Sequence, residues 1–147
     1  MSALARYFQA AGKKVAGYDK TPSQITKSLE ELGIVISYQD AAEAIPTEFK
    51  TSEKTLVVYT PAVPKAHKAY QFYLAEGFQI KKRAEVLGWL TQEKFCLAVA
   101  GTHGKTTTSA MLGHLMAFCK LPVTAFLGGI AENYQSNLIQ HGEEIVV

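Results

Sequence analysis

At 147 residues the chain can bury one ordinary core or two small ones, and 48% hydrophobic against 19% charged residues excludes a disordered polypeptide. The formal charge is only +2, from 15 basic and 13 acidic residues, and the densest basic run is Lys81-Lys82-Arg83. Neither a nucleic-acid groove nor an anionic membrane surface is therefore expected as a partner. No stretch approaches the roughly 18 apolar residues of a membrane span, and the amino-terminal residues lack a signal-peptide pattern, so the expected location is cytoplasmic.

Taken in chain order, Leu4, Tyr7, Phe8 and Ala11 recur at helical spacing and predict a first helix over 3–11, stopped by Gly12. Residues 15–18 read as a short strand with Asp19 at its carboxyl end. Thr21-Pro22-Ser23 opens a second helix, with Ile25, Leu29 and Leu32 as its apolar face and Gly33 as its stop. Strands follow over 34–38 and 55–59, the latter broken by Thr60-Pro61. A helix over 65–76 ends at Gly77, a brief strand covers 78–80, and a helix over 84–90 turns Val86, Leu87 and Leu90 inward. Strand, helix, strand at this spacing argues for a parallel α/β sheet.

A second unit begins near Lys94. Residues 95–100 form a continuous apolar strand leading into Gly101-Thr102-His103-Gly104-Lys105-Thr106, and the helix beyond carries Met111, Leu112, Leu115 and Phe118. Residues 123–127 make the next strand, with Gly128-Gly129 beyond it, and residues 144–147 begin another. The chain starts inside what should be the first helix of a βαβ unit and ends as a strand begins. It is therefore expected to be a fragment, or a gene product with a displaced start. Cys96 and Cys119, 23 positions apart, fit neither a zinc site nor a disulfide framework and are expected to be reduced, packed thiols.

The glycine-rich turn at 101–106 carries the chemistry. A terminal phosphate needs many donors converging at once, and a glycine turn supplies backbone N–H groups while the next helix adds its positive dipole end. Gly101 and Gly104 let the backbone approach, Lys105 would contact the β- and γ-phosphates, and Thr106 would offer its hydroxyl to Mg²⁺. Strand before and helix after is the context such a loop requires. The generic pattern has glycine where this chain has Val99. Thr102 in the loop is a further candidate for phosphate contact, as are Thr107 and Thr108, although a threonine in a first helical turn also serves capping. His103 reads equally as a ligand contact and as a side chain that shapes the loop. His114 is expected in the core or on the surface, and His67 and His141 have no partners at metal-ligand spacing.

The run Ala100-Gly101-Thr102-His103-Gly104-Lys105-Thr106-Thr107-Thr108 resembles the ATP-binding loop of the Mur ligases, the family that builds the peptide stem of peptidoglycan; in that family the absence of a glycine at Val99 is normal. Further segments resemble the family in its own order. Met1-Ser2-Ala3-Leu4-Ala5 looks like the tail of a glycine-rich signature whose glycines would precede residue 1. Val15–Asp19, Tyr59–Val63, Arg83–Leu87, Phe126–Gly129 and Asn137 are similar to the second strand with its terminal acid, the loop after the fourth strand, the segment before the central domain and the sugar-facing loop. His103 is similar to two branches, the alanine-adding one and the one that recycles a tripeptide, and the Met1-Ser2-Ala3-Leu4 start with Tyr18-Asp19 favours the alanine-adding branch.

That resemblance implies a Rossmann-like UDP-substrate domain over residues 1–92, lacking its first strand and glycine loop, followed by the start of a P-loop ATPase-type α/β central domain over 93–147. It implies ATP and Mg²⁺ as cofactors and UDP-N-acetylmuramate and L-alanine as substrates: ATP phosphorylates the lactyl carboxylate and the alanine amine attacks the acyl phosphate. Asp19, Thr60, Pro61, Ala62, Arg83, Gly128, Gly129 and Asn137 would line the substrate side. Each has a plain structural alternative, as strand-end turn, loop former or solvated cation. The family's Mg²⁺-binding acid would follow a strand starting near Ile145, so the 147-residue chain alone is expected to lack ligase activity. Two other readings are a recycling ligase with a tripeptide acceptor and a non-catalytic P-loop nucleotide module. A redox NAD protein lacks its glycine fingerprint here.

Overall fold

The computed structural model describes residues 1–147. By its internal packing the chain divides into two units, Met1 with residues 8–88, and residues 2–7 with residues 89–147.

In the first unit, helices stop where glycine can take the left-handed conformation. Helix α1 (Ser2–Ala10), whose last residues lie here, ends as Gly12 adopts φ +74° and donates its N–H to the Gln9 carbonyl. Strand β1 (Ala16–Tyr18) pairs in parallel with β2 (Val35–Ser37). Helix α2 (Gln24–Glu30) connects them, and Ser23 caps it: its hydroxyl accepts from the Thr26 N–H while the Thr26 hydroxyl accepts from the Ser23 N–H. The buried face of α2 is Thr26 and Leu29, whereas Ile25 and Leu32, expected inside, are exposed. A seven-residue helix presents little more than one residue per turn to a two-stranded pair.

Strand β3 (Leu56–Tyr59) pairs in parallel with β4 (Gln79–Lys82) in the register Leu56–Gln79 to Tyr59–Lys82. Between them helix α3 (Lys68–Ala75) starts three residues later than spacing suggests, because the His67 ring nitrogen Nδ1 caps it by accepting from the Tyr70 N–H. Tyr73 stacks edge-on against Phe72 and Phe78, and burial pushes its phenol pKa up from 10.0. Helix α4 (Arg83–Thr91) follows directly, with Val86 buried. The two pairs, β1–β2 and β3–β4, are not hydrogen-bonded to each other.

In the second unit, β5 (Phe95–Cys96) leads towards helix α5 (Lys105–Phe118), followed by β6 (Val123–Ala131), β7 (Ser136–Gln140) and β8 (Ile145–Val146). The sheet order is β5-β8-β6-β7, and only β6–β7 is antiparallel. Strand β5 is shorter than the apolar run 95–100, because its ladder extends only as far as its β8 partners, with the Leu97 N–H on the Val146 carbonyl as the last bond. Ala117, Val123, Ala125, Leu127 and Ile139 form the core. Leu127 and Ile139 are each 1% exposed, and such burial stabilises by about 1.5–3 kcal/mol per side chain. Residues Ala3, Leu4 and Tyr7 of α1 are buried in this unit, and the Tyr7 ring lies 5.4 Å from that of Phe126.

Helix α5 packs through its small residues. A Cβ on Gly113 would stand 2.7 Å from the Ala125 Cβ and 3.3 Å from Ile139 Cδ1, so the helix sits on β6 with no room for a methyl group. The large residues Met111, Leu115 and Phe118 consequently face outward, Phe118 with 78% of its surface exposed. Cys96 and Cys119 are free thiols, and both are exposed rather than packed.

Strand β6 also departs from expectation, since Gly128 and Gly129 lie within it and not in a loop beyond it. Its pairing with β7 is regular from Thr124–Gln140 to Phe126–Leu138 and resumes at Ala131–Ser136. Between those pairs the four residues Leu127–Ile130 face the single residue Asn137. The glycines therefore occupy a wide bulge in β6.

Candidate phosphate and substrate sites

The glycine-rich loop is cornered by two glycines in the positive-φ region, Gly101 at +153° and Gly104 at +76°, conformations that other residues adopt at a cost. Gly104 precedes the first turn of α5, which has no acidic residue and no side-chain cap, so its N–H groups and positive dipole end are open to an anion. Residues 101–108, and with them Thr102, His103 and Thr107, are all exposed. The Lys105 ammonium folds back onto the loop and donates to the carbonyls of Gly101 at 2.6 Å and Thr102 at 3.0 Å. A cation so placed stands at the loop's mouth.

Thr106 lies beside the β6 bulge. Its hydroxyl oxygen is 2.9 Å from where a Cβ on Gly128 would be, and its methyl is 3.5 Å from the equivalent point on Gly129. Asn137, the one β7 residue facing that bulge, donates its side-chain N–H to the Ser2 hydroxyl at 2.9 Å, and its buried Oδ1 has no hydrogen-bond partner. The expected residues Thr106, Gly128 and Gly129 are thus in contact, with Asn137 across the ladder. No group of three or more His, Cys, Asp or Glu side chains that could cage a metal ion exists in the chain.

In the first unit the remaining candidates lie at strand carboxyl ends. Asp19 follows β1, exposed, and its carboxylate accepts from the Thr21 N–H at 3.3 Å. Thr60, Pro61 and Ala62 form the turn after β3, closed by the Val63 N–H on the Thr60 carbonyl. Arg83 opens α4 after β4. A surface cavity of about 200 Å³ lies there, lined by Tyr59, Pro61, Val63, Lys65, Tyr70 and Lys82. Two lysines and two tyrosine rings, tilted at 49° with centroids 5.3 Å apart, suit a ligand that is anionic and has an apolar face.

Sequence reasoning missed that cavity and a cluster around His67. The His67 ring, 7% exposed, stands edge-on to Tyr18 at 4.2 Å, and the Asp40 carboxylate lies 3.3 Å from Nε2 without hydrogen-bond alignment. Asp40 also accepts from the Lys68 N–H at 2.7 Å. Nothing in the spacing of residues 18, 40 and 67 signals this; only folding assembles it. His114 is exposed, and its Nδ1 is approached by Tyr134 Oη at 2.9 Å and Asn133 Nδ2 at 3.3 Å.

An α/β framework with a glycine-cornered loop and a lysine opening the following helix has the form of a P-loop type of fold. The family model described as Mur ligase family, catalytic domain, matches residues 1–95, and the chain belongs to the Mur ligase family. It is 56% identical over 148 residues to the UDP-N-acetylmuramate–L-alanine ligase of Christiangramia forsetii, an alignment covering 100% of this chain and 33% of that protein. The ligase of the same name from Flavobacterium psychrophilum is likewise 56% identical, over 147 residues, with the same coverage of 100% and 33%. Among solved structures, UDP-N-acetylmuramate-alanine ligase from Thermotoga maritima matches with a TM-score of 0.84 at 29% identity, over 99% of this chain and 33% of that one. The UDP-N-acetylmuramate:L-alanyl-gamma-D-glutamyl-meso-diaminopimelate ligase of Neisseria meningitides matches with a TM-score of 0.82 at 26% identity, over 99% and 48%. The chain thus spans about a third of the length of the curated relatives it matches.

Proposed function

We propose that this chain is the UDP-substrate-binding part and phosphate loop of an ATP-dependent ligase that joins L-alanine to UDP-N-acetylmuramate. The carrying observation is the loop itself: Lys105 and Thr106 open a helix behind Gly101 and Gly104, in a chain 56% identical throughout to proteins named for that activity. The fold does not separate alanine addition from tripeptide recycling, since the two solved structures match almost equally, but the close sequence relatives carry the alanine-adding name.

In this reading residues 93–147 present the triphosphate and residues 1–92 hold the uridine nucleotide. The backbone N–H groups at 102–106 and the Lys105 ammonium hold the phosphates of ATP and take up negative charge as the γ-phosphoryl group moves to the lactyl carboxylate of UDP-N-acetylmuramate. ADP leaves. The amine of L-alanine then attacks the acyl carbon, a proton is lost from nitrogen, and inorganic phosphate departs as the amide forms. Phosphoryl transfer demands that like charges be held together, and a lysine on a preformed loop does so without reorganisation. Thr106 offers one exposed hydroxyl oxygen, suited to one ligand position of a Mg²⁺ ion that takes most of its ligands from phosphate and water. Bound there, the ion would neutralise charge between the β- and γ-phosphates.

On the substrate side, Asp19, the Thr60–Ala62 turn and Arg83 lie at strand carboxyl ends, where α/β sheets bind ligands. The cavity between Tyr59, Tyr70, Lys65 and Lys82 is suited to part of the uridine diphosphate. Gly128, Gly129 and Asn137 are assigned to the muramyl side. A cytoplasmic location agrees with the soluble substrates, and no helix is long and apolar enough to cross a membrane.

Calorimetric titration of the 147-residue chain with ATP and Mg²⁺, and separately with UDP-N-acetylmuramate, tests the assignment. Saturable binding of both is expected. Nucleotide binding without affinity for the UDP-sugar would replace it with a P-loop module of another purpose, and binding of neither would remove it.

A further inference from the structure

The hydroxyl assigned to Mg²⁺ is seated by a residue on another element. In the β6 bulge, a Cβ added to Gly128 would stand 2.9 Å from Thr106 Oγ1 and 3.9 Å from its Cβ and Cγ2. Neighbouring heavy atoms do not approach a Cβ closer than about 3.0 Å, so any side chain at 128 would require that hydroxyl to move. Backbone conformation does not explain the glycine, because Gly128 is not among the glycines with positive φ. Space explains it. Thr106 itself has little freedom to yield, since a β-branched side chain in a helical turn is confined to two χ1 positions. Gly129, by contrast, offers only an ordinary 3.5 Å contact to the Thr106 methyl.

We propose that Gly128 is a positioning residue for Thr106, its missing side chain leaving the pocket in the β6 bulge that fixes the hydroxyl's direction. The inference rests on the phosphate-site reading above. It places part of the metal-facing geometry on β6 and not on the loop alone, so the bulge opposite Asn137 and the nucleotide site share one contact.

The test compares ATP affinity of the 147-residue chain with Mg²⁺ and with EDTA, alongside thermal melting, for the parent, Gly128→Ala, Gly128→Ala with Thr106→Ser, and Ile130→Ala. Gly128→Ala should weaken MgATP binding about tenfold, the scale of one hydrogen bond to a charged partner, and leave metal-free ATP binding unchanged. Serine at 106 keeps the oxygen that meets the new Cβ and loses only the methyl 3.9 Å away, so the double variant should remain as weak as Gly128→Ala. Ile130→Ala, an exposed residue of the same bulge, should behave as the parent. Parental MgATP affinity in Gly128→Ala, equal weakening with and without Mg²⁺, or full recovery with Thr106→Ser would each overturn the proposal while leaving the phosphate site standing. If Gly128→Ala does not fold, pairing it with Thr106→Ala removes the colliding oxygen; recovered melting upholds the contact and continued unfolding refutes it. A parent chain that binds no ATP at all refutes the phosphate site and this inference together.

Discussion

Lys105 is the residue on which nucleotide binding should turn. Its ammonium donates to the carbonyls of Gly101 and Thr102, so its removal takes away both a tether of the loop and a cation beside it. Lys105→Ala is expected to weaken ATP binding at least about tenfold, measured by calorimetry. Its melting temperature should stay close to parental, because the side chain is exposed and buries no core surface. Tyr73 gives a second prediction. Burial raises its folded-state pKa above 10.0, so the unfolded chain ionises first. Stability is then intact below about pH 10 and falls as pH rises beyond it. Tyr73→Phe should flatten that alkaline loss in urea midpoints measured at about pH 9 and about pH 11, and parallel curves for the two proteins would refute it. At this scale the sequence is most legible where chemistry is contiguous: Gly101 to Thr106 announce themselves within one turn. The pairing of Thr106 with Gly128, or of His67 with Asp40 and Tyr18, depends on which strands lie side by side, and no local pattern reports that.

At the scale of elements, glycine and capping residues were good guides. Gly12, Gly33 and Gly77 all take positive φ just past a helix, and Ser23 caps α2 as its position suggests. Faces were poorer guides. Beyond Ser109 helix α5 is apolar apart from His114, and periodicity could not say that the sheet side would be Gly113 and Ala117 while Met111, Leu115 and Phe118 face away. The bulge in β6 was equally hidden, since two glycines in a row read as a turn until the pairing with β7 is known. The close approach of α5 yields a prediction with two opposing terms. Gly113→Ala gains up to about 1 kcal/mol of helix propensity. It also forces a methyl to within 2.7 Å of Ala125 Cβ, and overpacking of that kind costs about 1–3 kcal/mol. The second term is expected to win, lowering the urea midpoint; a midpoint at or above the parental value would show that helix and sheet can part at little cost.

For the whole molecule, alternation of strands and helices conveyed the α/β class and the parallel pairings, and the change near Lys94 conveyed that a second unit begins. What it could not convey is membership at a distance. Residues 2–7 open the chain yet belong with residues 89–147: Ala3, Leu4 and Tyr7 are buried there, Tyr7 lies against Phe126, and Lys94 Nζ is 3.3 Å from Tyr7 Oη. The crossings between units after residues 7 and 88 fall inside α1 and α4 instead of in loops. Bisecting the gene between codons 92 and 93 would therefore give two defective halves, the later one missing three of its own interior side chains and the earlier one carrying them bare. Clean dissection calls for a circular permutation that grafts the opening hexapeptide onto the later half.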